Sequence, residues 1–105
     1  MKQTSLVAVA FALGTTLFAA GVKASPIENA CLSSGRTQAS GALCRCIGSV
    51  AQQTLTRSEQ RRAARFFRDP DLAQEVRMSR SEADNAFWAR YRAFGETAER
   101  YCAGR

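Results

Sequence analysis

Four cysteines in a chain of 105 residues constrain the fold more than any other feature. Cys31, Cys44, Cys46 and Cys102 form an even set, and two of them stand one residue apart in Leu43-Cys44-Arg45-Cys46. An even cysteine count in a short chain reads as a disulfide framework. Roughly 80 residues bury only a limited core, and each bridge typically adds about 2–4 kcal/mol. Two other chemistries compete. Zinc wants cysteine pairs at C-x2-C-type spacing or histidine ligands, whereas this chain has one pair spaced by a single residue and no histidine. Thiol–disulfide exchange at Cys44 and Cys46 would gain from Arg45, because a neighbouring cation lowers a thiol pKa. Such motifs usually open a helix after a strand, and nothing strand-like precedes Leu43. The expectation is two structural bridges, with no metal and no cofactor.

Helical periodicity suggests how the bridges pair. A helix from about Gln38 to Leu55 puts Ala39, Leu43, Ile47, Val50 and Thr54 on one inward stripe. Successive residues turn by about 100°, so Cys44 and Cys46 fall on opposite flanks and reach different neighbours. A turn at Gly35 folds Cys31 back beside Cys44 and leaves Cys46 for Cys102. That pairing is favoured; the exchange, Cys31 with Cys46 and Cys44 with Cys102, stays open.

The chain starts with Lys2 and then runs apolar from Leu6 to Ala20, a length suited to a secretory leader and short of the ~20 residues that span a bilayer. Val22-Lys23-Ala24 offers small residues where a signal peptidase reads, with a weaker site after Ala19-Ala20-Gly21. Residues 1–24 are therefore expected to be a cleaved signal peptide and residues 25–105 one helical domain, periplasmic or secreted, with no membrane span left. Both lysines, Lys2 and Lys23, lie in the leader, so the rest holds thirteen arginines against nine acidic residues, a net charge of +4. Such a balance suits an anionic partner.

Helix starts are marked along the remaining chain. Ser25-Pro26-Ile27-Glu28 joins a cap, a first-turn proline and a capping-box glutamate, with Gly35 as the stop. Thr56-Arg57-Ser58-Glu59 is a second capping box and opens a helix through Arg68. Asp69-Pro70 ends that helix and starts a short one to Met78. Ser81 opens the longest, to about Cys102, with Ala83, Phe87, Tyr91, Phe94, Ala98 and Tyr101 at 3.6-residue spacing. No stretch alternates like a strand. The predicted class is all-α, a small compact bundle of about five helices stapled by two disulfides. The aromatic residues are expected in the core; Trp88, off the main stripe, is expected over Arg92 and is a candidate partner contact.

In Thr56 to Asp71 the arginines Arg57, Arg61, Arg65 and Arg68 recur at spacings of four, four and three, with Arg62 beside them. They make one positive ridge opposite Ala63, Ala64 and Phe67. The bland expectation is a solvated face paired with Glu59, Asp69, Asp71 and Glu75. The functional one makes Arg57, Arg61, Arg62, Arg65 and Arg68, with Trp88, a surface for an anionic ligand, a lipid head group or an acidic protein. No nucleic-acid motif is present. Nor is there a catalytic constellation: the chain lacks histidine, a G-x-S-x-G elbow, a P-loop and a G-x-G-x-x-G run.

From SPIENACLSSG through ALCRCIGSVAQQTLTRSEQRRAARFFRDPDLAQEVR to AFWARYRAFGETAERYC, the chain resembles a family of small exported four-cysteine alphaproteobacterial proteins of unknown function. Members often carry the label "arginine transporter". The resemblance covers residues 25–105 and implies a transport-accessory role, with no established site residues. The residues themselves point to a non-enzymatic helical binding protein, with a thiol–disulfide protein using Cys44 and Cys46 as the alternative. A small chaperone or assembly factor is a further competitor.

Overall fold

Five helices form, four of them where the start signals stand. The computed structural model describes residues 24–105, so the leader expected over residues 1–24 lies, save Ala24, outside the described residues. They are α1 (Pro26–Leu32), α2 (Gly41–Thr54), α3 (Arg57–Arg68), α4 (Pro70–Met78) and α5 (Glu82–Cys102). Each N-terminus has a side-chain oxygen on an otherwise unpaired backbone N–H. Ser25 Oγ accepts from Ile27, Ser40 Oγ from Leu43, Asp69 Oδ1 from Asp71 and Ser81 Oγ from Asp84. At α3 both halves of the capping box form: Thr56 accepts from the Glu59 N–H, and Glu59 accepts from the Thr56 N–H. Each such cap is worth about 0.5–2 kcal/mol. The turn after α1 passes through Gly35 at φ +67°, a left-handed conformation that glycine adopts freely. Helix α2 starts at Gly41 rather than at Gln38, because Ser40 is the residue that caps it.

The main helix contacts close a cycle, α1–α2–α5–α4–α3 and back to α1. Its middle is filled by Phe66 of α3 against Phe87 and Tyr91 of α5, in edge-on contacts at centroid distances of 6.1 and 5.2 Å. Edge-to-face pairs of this kind add about 0.5–1.5 kcal/mol beyond their burial. Ile27, Ala51, Leu55, Ala63 and Phe94 complete the core. Two bridges fix consecutive links of the cycle: Cys31–Cys44 joins α1 to α2, and Cys46–Cys102 joins α2 to α5. Opposite flanks of α2 thus serve different helices, as the favoured pairing requires.

Three stripe assignments shift. On α2 the buried face is Cys44, Gly48, Ala51 and Leu55 with Val50, while Leu43 and Ile47 are half-buried and Thr54 is exposed. A stripe drawn through large apolar side chains passes over Gly48, where α1 comes closest. On α5 the inward row ends at Cys102, so Tyr101 is exposed because the bridge turns the helix end toward α2, and Ala83 in the first turn is exposed as well. On α3 Phe66 is the buried phenylalanine and Phe67 lies half-exposed at the edge.

Two contacts seat α1. Ser25 Oγ donates to Gln60 Oε1 at 2.5 Å, and Gln60 Nε2 in turn donates to the Leu55 carbonyl at 3.3 Å. Gln60 is only 1% exposed, so this pairing spares α3 a buried unsatisfied amide. The second contact is at Gly48, where a β-carbon would stand 2.7 Å from Glu28 Cβ and 3.4 Å from Ser25 Cβ. Glu28 Cβ belongs to the stem of its side chain and can move only with α1. Gly48→Ala is therefore expected to lower stability by about 1–2 kcal/mol, since overpacking at about 1–3 kcal/mol outweighs the gain in helix propensity. A urea midpoint that stayed level or rose would mean that α1 shifts without cost.

Candidate functional site

Helix α3 is divided sharply by residue type. Gln60, Ala63, Ala64 and Phe66 are buried, whereas Arg57, Arg61, Arg65 and Arg68 are exposed. Three of these, Arg61, Arg65 and Arg68, line a groove of about 950 Å³ between α3 and α1. Its floor is Ala30, Ala64 and the edge-placed Phe67, and Asn29 of α1 with Ser33 and Ser34 just after it form the facing wall. No acidic residue lines it.

The expected neutralisation of the ridge does not occur. Among the described residues, none of Arg57, Arg61, Arg65 and Arg68 has an acidic group within 4.0 Å. Two of the four carboxylates expected to neutralise it are used otherwise: Glu59 completes its capping box and accepts from Arg90 of α5, and Asp69 caps α4. Asp71 and Glu75 form no ion pair with the ridge.

Arg62 and Trp88 are not brought to this groove. Arg62 turns toward α5, where its Nη2 donates to Asp84 Oδ1 at 2.5 Å and its guanidinium stands 4.5 Å from the Phe87 ring centroid. It closes the α3–α5 seam. Trp88 is half-buried against the core, with its ring 5.3 Å from Tyr91. Its expected partner Arg92 lies instead beside Glu96, 3.8 Å away. Arg36, in the α1–α2 connection and marked by no spacing pattern, stands 5.8 Å from the ring centroid of Phe67, which lines the groove. The facing wall was also missed. Its signal is the small and polar row Pro26, Asn29, Ala30 and Ser33, spaced by three, one and three along one face of α1.

The seam's ion pairs make stability depend on acid. Burial opposes ionisation of Glu59, but hydrogen bonds from the Thr56 backbone and from Arg90 prevail and hold its carboxyl below the ordinary 4.5. Hydrogen bonds from Arg62 and Ser79 likewise hold Asp84 below 3.8. Groups whose pKa is depressed on folding contribute fully above their unfolded values and lose that contribution as pH falls through the folded ones. Urea midpoints are thus expected to be level from pH 7 to about 5 and to fall below about pH 4.5, less steeply in Glu59→Gln. Equal acid slopes in the two proteins would remove Glu59 from this account.

The cysteines offer no exchange pair between Cys44 and Cys46. Each is bonded to a different helix, Cys44 is fully buried and Cys46 half-buried. Among the described residues no group of three or more His, Cys, Asp or Glu side chains could hold a metal ion, and no helix is long and apolar enough to cross a membrane. No protein-family model, curated protein or solved structure matches the chain.

Proposed function

We propose that the protein is an exported, non-enzymatic binding module that holds an anionic ligand in the groove between α1 and α3. The observation that carries this reading is the set of three arginines, Arg61, Arg65 and Arg68, with no ion-pair partner on one wall of a groove without acids. Guanidinium groups match phosphate and carboxylate in a two-pronged geometry, and a concave site excludes part of the water that would screen them. The leader pattern and the two bridges support a periplasmic or secreted setting, where disulfides persist.

Titration with pyrophosphate tests the site. Saturable binding is expected, weakened at least tenfold in Arg61→Ala/Arg65→Ala/Arg68→Ala. It should be weakened no more than about twofold in Arg77→Ala/Arg80→Ala/Arg100→Ala, which removes the same charge from exposed positions elsewhere. Equal losses in both triples would reduce the groove to a share of net charge. Free L-arginine belongs in the same series, since saturable binding of it, and not of pyrophosphate, would favour the transport-accessory role.

A further inference from the structure

We infer that the ligand of this groove is a single-chain phosphate amphiphile, a phosphate monoester carrying one acyl or alkyl chain. The inference rests on the reading of the groove as an anion site and adds what lies beside the anion.

Three features select this class. Arg61 and Arg68 are seven residues apart, so the three guanidinium stems are spread over about 10.5 Å of α3. Three unneutralised cations are matched better by a phosphate monoester, which carries roughly −1.5 to −2 near pH 7, than by one carboxylate. The floor is the second feature. Phe67 presents a half-exposed ring beside the buried Ala30 and Ala64, so a bare anion would leave that ring in water. Third, about 950 Å³ is the scale of a site for a whole organic ligand and not for one phosphate. The facing wall is neutral, and its Asn29 and Ser33 can hydrogen-bond an ester or hydroxyl without repelling the head group.

The phosphate then lies against Arg61, Arg65 and Arg68, and the chain lies over Phe67 and Ala64. A flat anionic membrane fits less well, because the cations line a concavity and Asp69 and Asp71 follow directly after Arg68. An acidic peptide would match the charge but leave the apolar floor without a partner.

Calorimetric titration of the full disulfide-bonded chain decides it. The probes are monooleyl phosphate below its micelle concentration, inorganic phosphate, lysophosphatidylcholine and heptaglutamate. Monooleyl phosphate is expected to bind saturably and at least tenfold more tightly than the other three. Phe67→Ser, checked for native helicity by circular dichroism, is expected to weaken monooleyl phosphate severalfold and to leave inorganic phosphate unchanged. Equal affinity for monooleyl and inorganic phosphate in the native protein would overturn the amphiphile while leaving the anion site standing. Binding of heptaglutamate alone would overturn it in favour of an acidic protein. Lysophosphatidylcholine binding as tightly as monooleyl phosphate would overturn the arginines' part in recognition. Heat from none of the probes would sink both readings.

Discussion

Replacing Cys46 and Cys102 together by alanine is expected to lower stability by about 2–5 kcal/mol and to bring the domain close to unfolding at 37 °C. The two cysteines are 56 residues apart, against 13 for Cys31 and Cys44. If bridges act mainly by restricting the unfolded chain, the longer loop stabilises more, by about 1.3 kcal/mol from the logarithmic dependence on loop length. The long bridge also joins the last turn of α5 to α2, on one side of the helix cycle. Thermal melts of the two alanine double variants provide the check. For a domain of this size each kcal/mol moves the midpoint by about 4–8 °C. A Cys46→Ala/Cys102→Ala protein melting within 2 °C of the native one would show that packing of α5 alone closes the fold.

The second large effect is expected at Phe87. Its ring is 3% exposed, packs against both Phe66 and Tyr91, and carries the Arg62 guanidinium on its face. Phe87→Ala removes the centre of the helix cycle and is expected to cost about 3–5 kcal/mol. It also takes the cation–π partner from Arg62, a contact worth about 0.5–2 kcal/mol that is part of the same loss. Phe67→Ala makes the contrast, because that ring lies at the groove edge and half in water. A loss below about 1 kcal/mol is expected there. Comparable losses at Phe67 and Phe87 in urea unfolding would mean that the aromatic cluster is not where the core is concentrated.

The sequence showed the helices because their signals are local. Ser25, Thr56, Asp69 and Ser81 all act on N–H groups two or three residues ahead, so cap and helix are read in one short window; Ser40 does the same for α2, but the start placed at Gln38 passed it over. The candidate site was legible only in half. Spacing placed Arg57, Arg61, Arg65 and Arg68 on one face of α3, but it placed Arg62 with them. Asp84, 22 residues further on, draws Arg62 away, and Arg90, 31 residues from Glu59, removes one of the acids expected to neutralise the ridge. The facing wall on α1 carries no charge, and its small and polar row has meaning only once α1 lies on α3.

By itself, then, the chain determined its five helices, its positive α3 face and the division of Cys44 and Cys46 between two neighbours. These follow from hydrogen bonds within a turn and from the angle between residues on a helix. Only the tertiary structure decided that Gly48 admits α1 against α2, that Gln60 is buried because Ser25 meets it, and that three of the α3 arginines wall a groove. Each of these depends on which surfaces meet across long stretches of chain. That outcome is set by competition for packing space and for ion partners, and no local window contains it.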